Sequence, residues 1–290
     1  MSQHNVEKKK TGVYKNLITG GISASIARTI TNPIERLEIL RQVENTDYKG
    51  LSLSQSMKKF YKTQGLTGLF KGNSASLARI FPFSAIEFYS YEFYKNLLIR
   101  GDHNKARQNS IFYAILCGGL TGLNAITLTF PLDVARTRLA VDTQNSPIKE
   151  KSIFTSLINL WKKDGIRGLY KGYSICFLGS IPYVAIKQTT FDYLKTNFMV
   201  DKYRGSLNFI FGGFSGLLGT CLLYPSYMMK RVLQANDIKE LKLGGLIRQI
   251  FRTQGISGFY KGMSMSLIKI VPYQGLLFWI NEKMKVIMNY

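Results

Sequence analysis

The sequence predicts an all-α membrane protein: six transmembrane helices in three pseudo-threefold repeats, with short helices along the membrane surface. Two observations predict this fold. A tripeptide of an aromatic residue, Lys and Gly recurs three times, each time at the end of a longer similar stretch. Each repeat also holds two long apolar-rich segments. With about 1.5 Å of rise per residue, helices of this length can cross a hydrocarbon layer of roughly 30 Å.

Self-similarity along the chain defines the repeats. The stretches QGLTGLFKG, DGIRGLYKG and QGISGFYKG align, and each follows a proline that opens a charged decapeptide. A second proline follows each stretch, in IFPFSAIEF, SIPYVAIKQ and IVPYQGLLF. Several anchors in one order, found three times, indicate a triplication. We predict a polar N-terminal tail at residues 1–12 and repeats at residues 13–100, 108–200 and 204–290.

The apolar-rich segments provide two helices per repeat. They span about residues 13–42 and 74–98, 110–140 and 174–198, and 206–235 and 264–288. Between the two segments of a repeat lies a shorter stretch that mixes basic and apolar residues, such as LSQSMKKFYKTQG, and we expect it to lie along the membrane surface. The length of the segments and the prolines within them argue against a soluble array of helical repeats.

The charge balance indicates an anionic partner. The chain has 39 Lys and Arg against 17 Asp and Glu, a formal net charge of +22. Nucleic acid, anionic lipid and an anionic solute all fit this charge, but its spread over three repeats disfavours nucleic acid. The three cysteines, Cys117, Cys176 and Cys221, lack metal-ligand spacing, so we predict no metal site. No catalytic constellation or nucleotide-binding loop is visible, which argues against an enzyme.

Charged residues recur at aligned positions of the long segments. Acidic and basic residues follow the first prolines of the repeats, Pro33, Pro131 and Pro225, at offsets of two and five. Charges at membrane depth are costly unless paired, so we expect the acid of one repeat to meet the base of the next in a ring. A second ring lies in the other three segments: Glu92, Asp192 and Glu282 with Lys95, Lys195 and Lys285. Two breakable rings at opposite ends form an alternating-access device.

These motifs identify a family resemblance. The pattern P-x-[DE]-x-x-[KR], followed some thirty residues later by G-x-x-G-x-[YF]-[KR]-G, resembles the signature of the mitochondrial carrier family over about residues 13–288. The resemblance implies an inner-membrane transporter without a cofactor, with short helices on the matrix side and both termini toward the intermembrane space. It also implies bound cardiolipin at the [YF]KG turns, where helix N-termini and lysines suit phosphate. The residues of these turns are Lys71, Gly72, Lys171, Gly172, Lys261 and Gly262.

The resemblance assigns the first ring to a matrix gate and the second to a cytoplasmic gate. The expected matrix pairs are Glu35 with Arg136 and Asp133 with Lys230. The third contact departs from the pattern, because Tyr227 stands at the acid position and Glu38 at the base position. We expect a Tyr–Glu hydrogen bond there and a gate weaker by one ion pair. Two further residues, Gln42 and Gln234, occupy the position that braces the salt bridges in this family.

The substrate site is predicted from the same resemblance. Family positions on the second long segment of each repeat correspond here to Arg79, Gly179 and Lys269. Ser180 lies beside the glycine, and the first segment of the chain contributes Arg28. Three positive charges around one site suit a phosphorylated polyanion. The glycine in the second repeat leaves room for the purine or pyrimidine ring of a nucleotide. The strings ARTITNPIERLEILRQ and LGSIPYVAI are most similar to the group that carries adenine nucleotides, ATP-Mg/phosphate and coenzyme A. We therefore predict exchange of adenine-nucleotide-like anions.

Two alternatives remain from the sequence. One is a carrier of another anion, such as phosphate or a carboxylate. The other is a carrier-fold protein that serves as a structural subunit of a larger inner-membrane complex, with little or no transport. The altered contact between Glu38 and Tyr227 motivates this second alternative, as does Glu87, which would repel phosphate unless it pairs with a nearby base.

Overall fold

The chain folds into three successive groups of long, short and long helices. The computed structural model describes residues 2–44, 46–48, 50–99, 110–143, 150–198, 204–236 and 243–287, and no strand occurs among them. The long helices are α1 (Ser2–Gln42), α3 (Asn73–Ile99), α4 (Ser110–Val141), α6 (Tyr173–Phe198), α7 (Arg204–Ala235) and α9 (Met263–Ile287). The short ones are α2 (Leu53–Leu69), α5 (Ile153–Leu169) and α8 (Leu243–Gln254), with 3-10 turns at Thr46–Tyr48 and Ile256–Tyr260.

The helices confirm the predicted all-α class and change one boundary. Helix α1 begins at Ser2, so the residues predicted to be a polar tail are helical. The helix also runs through Pro33 without a break, as α4 runs through Pro131 and α7 through Pro225.

The six long helices form a closed ring. Along the ring, α1 contacts α3, α3 contacts α4, and the contacts continue through α6, α7 and α9 back to α1. The second long helix of each repeat packs most extensively against the first long helix of the next repeat: α3 on α4, α6 on α7, and α9 on α1. The first helices α1, α4 and α7 also contact one another. The repeats are therefore joined mainly through contacts between repeats.

Short helices brace one end of this ring. In α2 the side chain of Ser52 accepts from the backbone of Gln55, whose side chain accepts from the backbone of Ser52; Ser152 and Thr155 do the same in α5. Such capping boxes satisfy backbone donors that a helix start leaves open. Each short helix then turns at a glycine of positive φ, because left-handed backbone is tolerated there without a Cβ. These glycines are Gly65, Gly165 and Gly255.

The buried apolar core lies where the short helices meet the ends of α1, α4 and α7. One cluster joins Leu37 and Leu40 of α1 to Phe60 of α2 and Val141 of α4. A second cluster joins α7 to α8, and a third joins α4 to α5. We call this the closed end of the ring. The opposite end, which carries the C-terminal turns of α3, α6 and α9, is the far end.

By length and apolar composition alone, one segment of the described chain, Ile256–Met284, qualifies as a membrane span. The other long helices carry charged residues, which lower the hydropathy of the windows that contain them. The six-span layout stays a prediction.

Candidate functional site

The first predicted ion pair joins repeats one and two at the closed end. The carboxylate of Glu35 on α1 contacts the guanidinium of Arg136 on α4. The side chains are 13% and 4% exposed, so the pair is largely removed from water. Each charge is thus neutralised by a partner from the neighbouring repeat, as burial requires.

Asp133 is the centre of the contact between repeats two and three. Its Oδ2 lies 2.8 Å from Nζ of Lys230, the predicted partner. Its Oδ1 lies 3.1 Å from Nη1 of Arg79 and 3.5 Å from Nη1 of Arg231. Gln234 donates a further hydrogen bond from Nε2 to Oδ2 at 3.1 Å. One buried carboxylate therefore holds three cations together.

The third contact differs from the expected Tyr–Glu hydrogen bond. Glu38 and Tyr227 are both described, and they form no hydrogen bond with each other. Glu38 accepts from Nζ of Lys269 at 2.6 Å and from Nε2 of Gln42 at 3.3 Å. The ring of Tyr227 packs edge-on against Tyr183, with centroids 6.1 Å apart. A buried carboxylate gains more from an ammonium within reach than from a neutral phenol, and this explains the change of partner.

The two glutamines lie beside these contacts in different ways. Gln234 bonds directly to Asp133, and its Oε1 accepts from Thr137 at 2.7 Å. Gln42 donates to the hydroxyl of Tyr224 at 2.8 Å, and that hydroxyl donates to the backbone oxygen of Lys261 at 2.9 Å. Both glutamines therefore bond to a carboxylate of an ion pair, and Gln42 in addition ties α1 to repeat three through Tyr224.

The predicted basic substrate residues surround two adjoining cavities inside the ring. Arg79 lines a cavity of about 220 Å³ and Lys269 one of about 370 Å³, while Arg28 lines both. Gly179 and Ser180 line neither. A Cβ on Gly179 would approach Cβ of Ser226 on α7 to 3.0 Å, so this glycine permits close packing of α6 on α7.

The structure describes five of the six side chains of the predicted far-end ring. Glu92, Lys95 and Lys195 are exposed, and Glu92 forms no ion pair with Lys195. Asp192 accepts from Nε2 of Gln188, at 3.1 and 3.2 Å. Glu282 is exposed as well, and the side chain of Lys285 lies outside the described residues. Ion pairs at the closed end, with Glu92 and Lys195 apart at the far end, fit one state of an alternating-access device, and the gate role of these residues stays a prediction.

The lysines of the [YF]KG turns bind protein groups of the next repeat. Nζ of Lys71 lies 2.9 Å from Oδ2 of Asp142, and Lys261 forms an ion pair with Glu44. Lys171 donates to the backbone oxygen of Asn236 at 3.0 Å. All three partners stand eleven residues after the first proline of their repeat. We call these three contacts the lysine ring. Cardiolipin binding at the turns stays a prediction.

The glycines of the same turns lie against the backbone of the closed end. Their φ angles are +84° for Gly72, +78° for Gly172 and +82° for Gly262. A Cβ at these positions would lie 3.0–3.2 Å from the backbone oxygens of Arg136, Lys230 and Glu38, respectively. The turns of one repeat thus touch the residues at the base position of the next.

Two arginines that the sequence analysis did not select take part in the closed end. Arg231 contacts Asp133, as described above. Arg36 is fully buried and donates to the backbone oxygens of Ala140 at 2.9 Å, Asp142 at 2.6 Å and Gly68. Its aligned positions carry Val and Met, so comparison of the repeats held no signal for it. The lysine ring could have been found, because its partners are polar in every repeat.

Comparison with known proteins identifies the family of the chain. The family model described as "Mitochondrial carrier protein" matches three times, at residues 9–102, 107–203 and 201–290. The mitochondrial substrate carrier family protein P of Dictyostelium discoideum is 31% identical over 95% of this chain and 95% of its own length. Mitochondrial carrier protein CoAc1 of Arabidopsis thaliana is 31% identical, covering 93% and 88%. A human mitochondrial adenyl nucleotide antiporter is 29% identical over 96% of this chain and 59% of its own length.

Proposed function

The chain belongs to the mitochondrial carrier family, and we propose that it exchanges adenine-nucleotide-like anions across the mitochondrial inner membrane by alternating access. Proteins of this family are transporters and not enzymes. Adenine nucleotides, ATP-Mg with phosphate, and coenzyme A form the substrate class.

The outward surface of the ring supports a membrane position with all six long helices as spans. Large apolar side chains are exposed there, including Trp279 at 61%, Leu128 at 59% and Phe93 at 53%. Exposed apolar surface of this extent is unfavourable in water and favourable against lipid. The ionic residues of the closed end face inward. We place the closed end and its short helices at the matrix side, with both termini at the other side.

The observation that carries the proposed substrate class is the set of basic side chains around the adjoining cavities, among them the three predicted substrate residues Arg28, Arg79 and Lys269. Arg28 borders both cavities and so connects Arg79 with Lys269. Guanidinium groups bind phosphate oxygens in pairs, and an ammonium adds a point charge. Several such groups around one space favour a polyanion over a monoanion. One relative with a related sequence is named an adenyl nucleotide antiporter, which supports both the substrate class and exchange.

The structural-subunit alternative loses its main motive. It rested on an altered gate contact, but Glu38 has an ion-pair partner in Lys269. Glu87 forms no ion pair with a described residue, and it lines neither of the two cavities that hold the basic side chains. The thermal-shift panel below decides between transport and this alternative, since a structural subunit responds to no solute, and a smaller anion is a further outcome of it.

Cardiolipin at the [YF]KG turns belongs to the same proposal. The turns precede the N-termini of α3, α6 and α9, whose free backbone N–H groups favour phosphate. Because the lysines are held in the lysine ring, we expect backbone donors to make the main lipid contacts.

A thermal-shift panel tests the substrate class. Purified protein in detergent is heated with ATP, ADP, AMP, coenzyme A, phosphate and dicarboxylates, because a ligand that binds the folded state raises the melting temperature. We expect nucleotides and coenzyme A to raise it and phosphate and dicarboxylates to leave it unchanged. A rise with phosphate or dicarboxylates alone would assign the chain to another anion.

Uptake into liposomes tests the site. Liposomes loaded with ATP and containing the protein should take up labelled ADP, and empty liposomes should take up little. We expect Arg79→Gln to abolish most of this exchange. Lys58→Gln, on the exposed face of α2, is the control and should leave exchange unchanged. Normal exchange by folded Arg79→Gln would show that the site assignment is wrong.

A further inference from the structure

Glu38 is an acid at a position where the other two repeats carry a base. The aligned bases, Arg136 and Lys230, each bind the acid of the preceding repeat. The residue at the acid position opposite Glu38 is Tyr227, yet the Glu38 side chain is only 10% exposed. A buried carboxylate without a cation is strongly disfavoured. The contact between repeats three and one therefore needs a cation from another position.

Lys269 on α9 is that cation. Its Nζ lies 2.6 Å from Oε2 of Glu38 and 3.4 Å from Oε1 of Glu35. Lys269 and Tyr227 belong to the same repeat, so an ion pair still joins repeat three to repeat one. The difference lies in the helix that carries the base. Here it is α9, the second long helix of its repeat, whereas Arg136 and Lys230 lie on α4 and α7, the first long helices of theirs.

We propose that Lys269 alternates between two anions: Glu38 in the empty protein, and an anionic group of the substrate when one is bound. This inference rests on the proposed function. When an anionic group of the substrate binds the ammonium of Lys269, α9 loses its ion pair with Glu38 of α1. The contact between repeats three and one is then the place where substrate binding begins to open the closed end.

The cations at Asp133 do not have this property, although Lys230 and Arg231 line the same cavity as Lys269 and Arg79 lines the adjoining one. Arg79 binds Asp133, but Asp133 also holds Lys230 and Arg231. If a substrate withdraws Arg79, the carboxylate keeps two cations and the contact between repeats two and three persists. Among the described residues, Lys269 is the cation within ion-pair distance of Glu38. Its withdrawal leaves that carboxylate with the hydrogen bond from Gln42 alone.

The cavity of about 370 Å³ provides the space for this exchange of partners. Lys269, Glu35 and Glu38 all line it, together with Arg28. An anionic group placed at Lys269 comes close to both carboxylates and is repelled while they remain near the ammonium. Substrate binding at Lys269 and the Glu38–Lys269 contact are therefore mutually opposed, and each weakens the other.

A double-mutant cycle on the ligand-free protein tests the contact itself. The variants are Glu38→Gln, Lys269→Gln and the two combined, and the measurement is the melting temperature in detergent. We expect each single change to lower it by a few degrees and the combination to lower it no further than the larger single effect, since all three remove the same ion pair. Additive effects would overturn the pairing as a functional contact.

Nucleotide affinity tests the alternation. We expect Glu38→Gln to lower the Kd for ATP about threefold or more, because Lys269 is then available in a larger fraction of molecules. The control is Glu44→Gln, which breaks an ion pair at the same boundary but outside this cavity. It should lower the melting temperature and leave the Kd unchanged. An unchanged Kd in Glu38→Gln would overturn the proposal.

A second variant covers the case in which Glu38→Gln does not fold. The combination Glu38→Lys with Tyr227→Glu places a base and an acid on the first helices, as at the other two contacts. We expect a melting temperature near that of the unaltered protein and a lower Kd for ATP; an equal Kd contradicts the proposal. If no anion of the panel binds the unaltered protein, the proposed function and the alternation fail together. The ligand-free cycle then still decides whether Lys269 completes the closed end.

Discussion

At the scale of single residues, Asp133 holds the closed end together. It is 1% exposed and within ion-pair distance of Lys230, Arg79 and Arg231. Taking a carboxylate out of water is costly, and here three cations and an amide offset that cost. Removing the charge would leave the cations crowded together without an anion.

We expect Asp133→Asn to lower the free energy of unfolding by about 3–5 kcal/mol, the range for breaking a buried ion pair on one side. The matched control is Asp192→Asn at the far end, where the carboxylate accepts from Gln188. We expect that change to stay within about 0.5 kcal/mol. Denaturation in detergent, followed by intrinsic fluorescence, measures both. Equal effects would contradict the central role of Asp133.

At the scale of elements, the repeats are joined by turns that press against the next helix. The turn at Gly72 sits on α4, with φ of +84° and the backbone oxygen of Arg136 where a Cβ would be 3.0 Å away. Two requirements therefore favour glycine at this position: the backbone is left-handed, and the space beside it is too small for a Cβ. A turn of this kind holds the start of α3 at a set distance from α4.

A comparison of Gly72→Ala with Gly50→Ala separates the cost of the left-handed backbone from the cost of the close approach to α4. Gly50 has a similar φ of +77°, but nothing lies within 4 Å of its added Cβ. Both changes introduce backbone strain. We expect Gly72→Ala to be more destabilising by about 1 kcal/mol or more, because it also forces the turn away from α4. Melting temperatures of the two variants compare them, and equal losses would show that the close approach carries no energy.

At the scale of the whole molecule, the three repeat boundaries are unequal. The lysine ring has an ion pair at two boundaries, Lys71–Asp142 and Lys261–Glu44, but Lys171 meets only the backbone oxygen of Asn236 among its contacts with repeat three. The network of the closed end is likewise asymmetric, since one of its bases is Lys269. An asymmetric solute is compatible with boundaries of different strength.

We expect Asn236→Asp to strengthen the boundary between repeats two and three. It would give Lys171 a carboxylate from the next repeat, and an ion pair of this exposure contributes up to about 1 kcal/mol. The closed end should become more stable, so the melting temperature should rise and the rate of nucleotide exchange should fall. Asn197→Asp, at the exposed C-terminal turn of α6, is the control and should change neither. A faster exchange would argue against the lysine ring as a contact that must open.

The sequence by itself determined the triplication, the helical class and the two regular pairs, Glu35 with Arg136 and Asp133 with Lys230. These follow from residues at fixed offsets within a repeat, so comparison of the three copies makes them visible. The sequence also identified Glu38 and Tyr227 as departures from the acid and base pattern, because the other two contacts keep that pattern.

Only the tertiary structure decided what the departure means. The partner of Glu38 is Lys269, which is far away in the chain and lies on a different helix from the aligned position. The role of Arg36 could not be predicted for a related reason. It binds backbone oxygens, which every residue has, so no side-chain pattern in the sequence indicates its acceptors. Local spacing determines which residues share a helix face. The packing of α9 on α1 determines which charges come within reach, and a buried charge binds the strongest opposite charge that the packing brings to it.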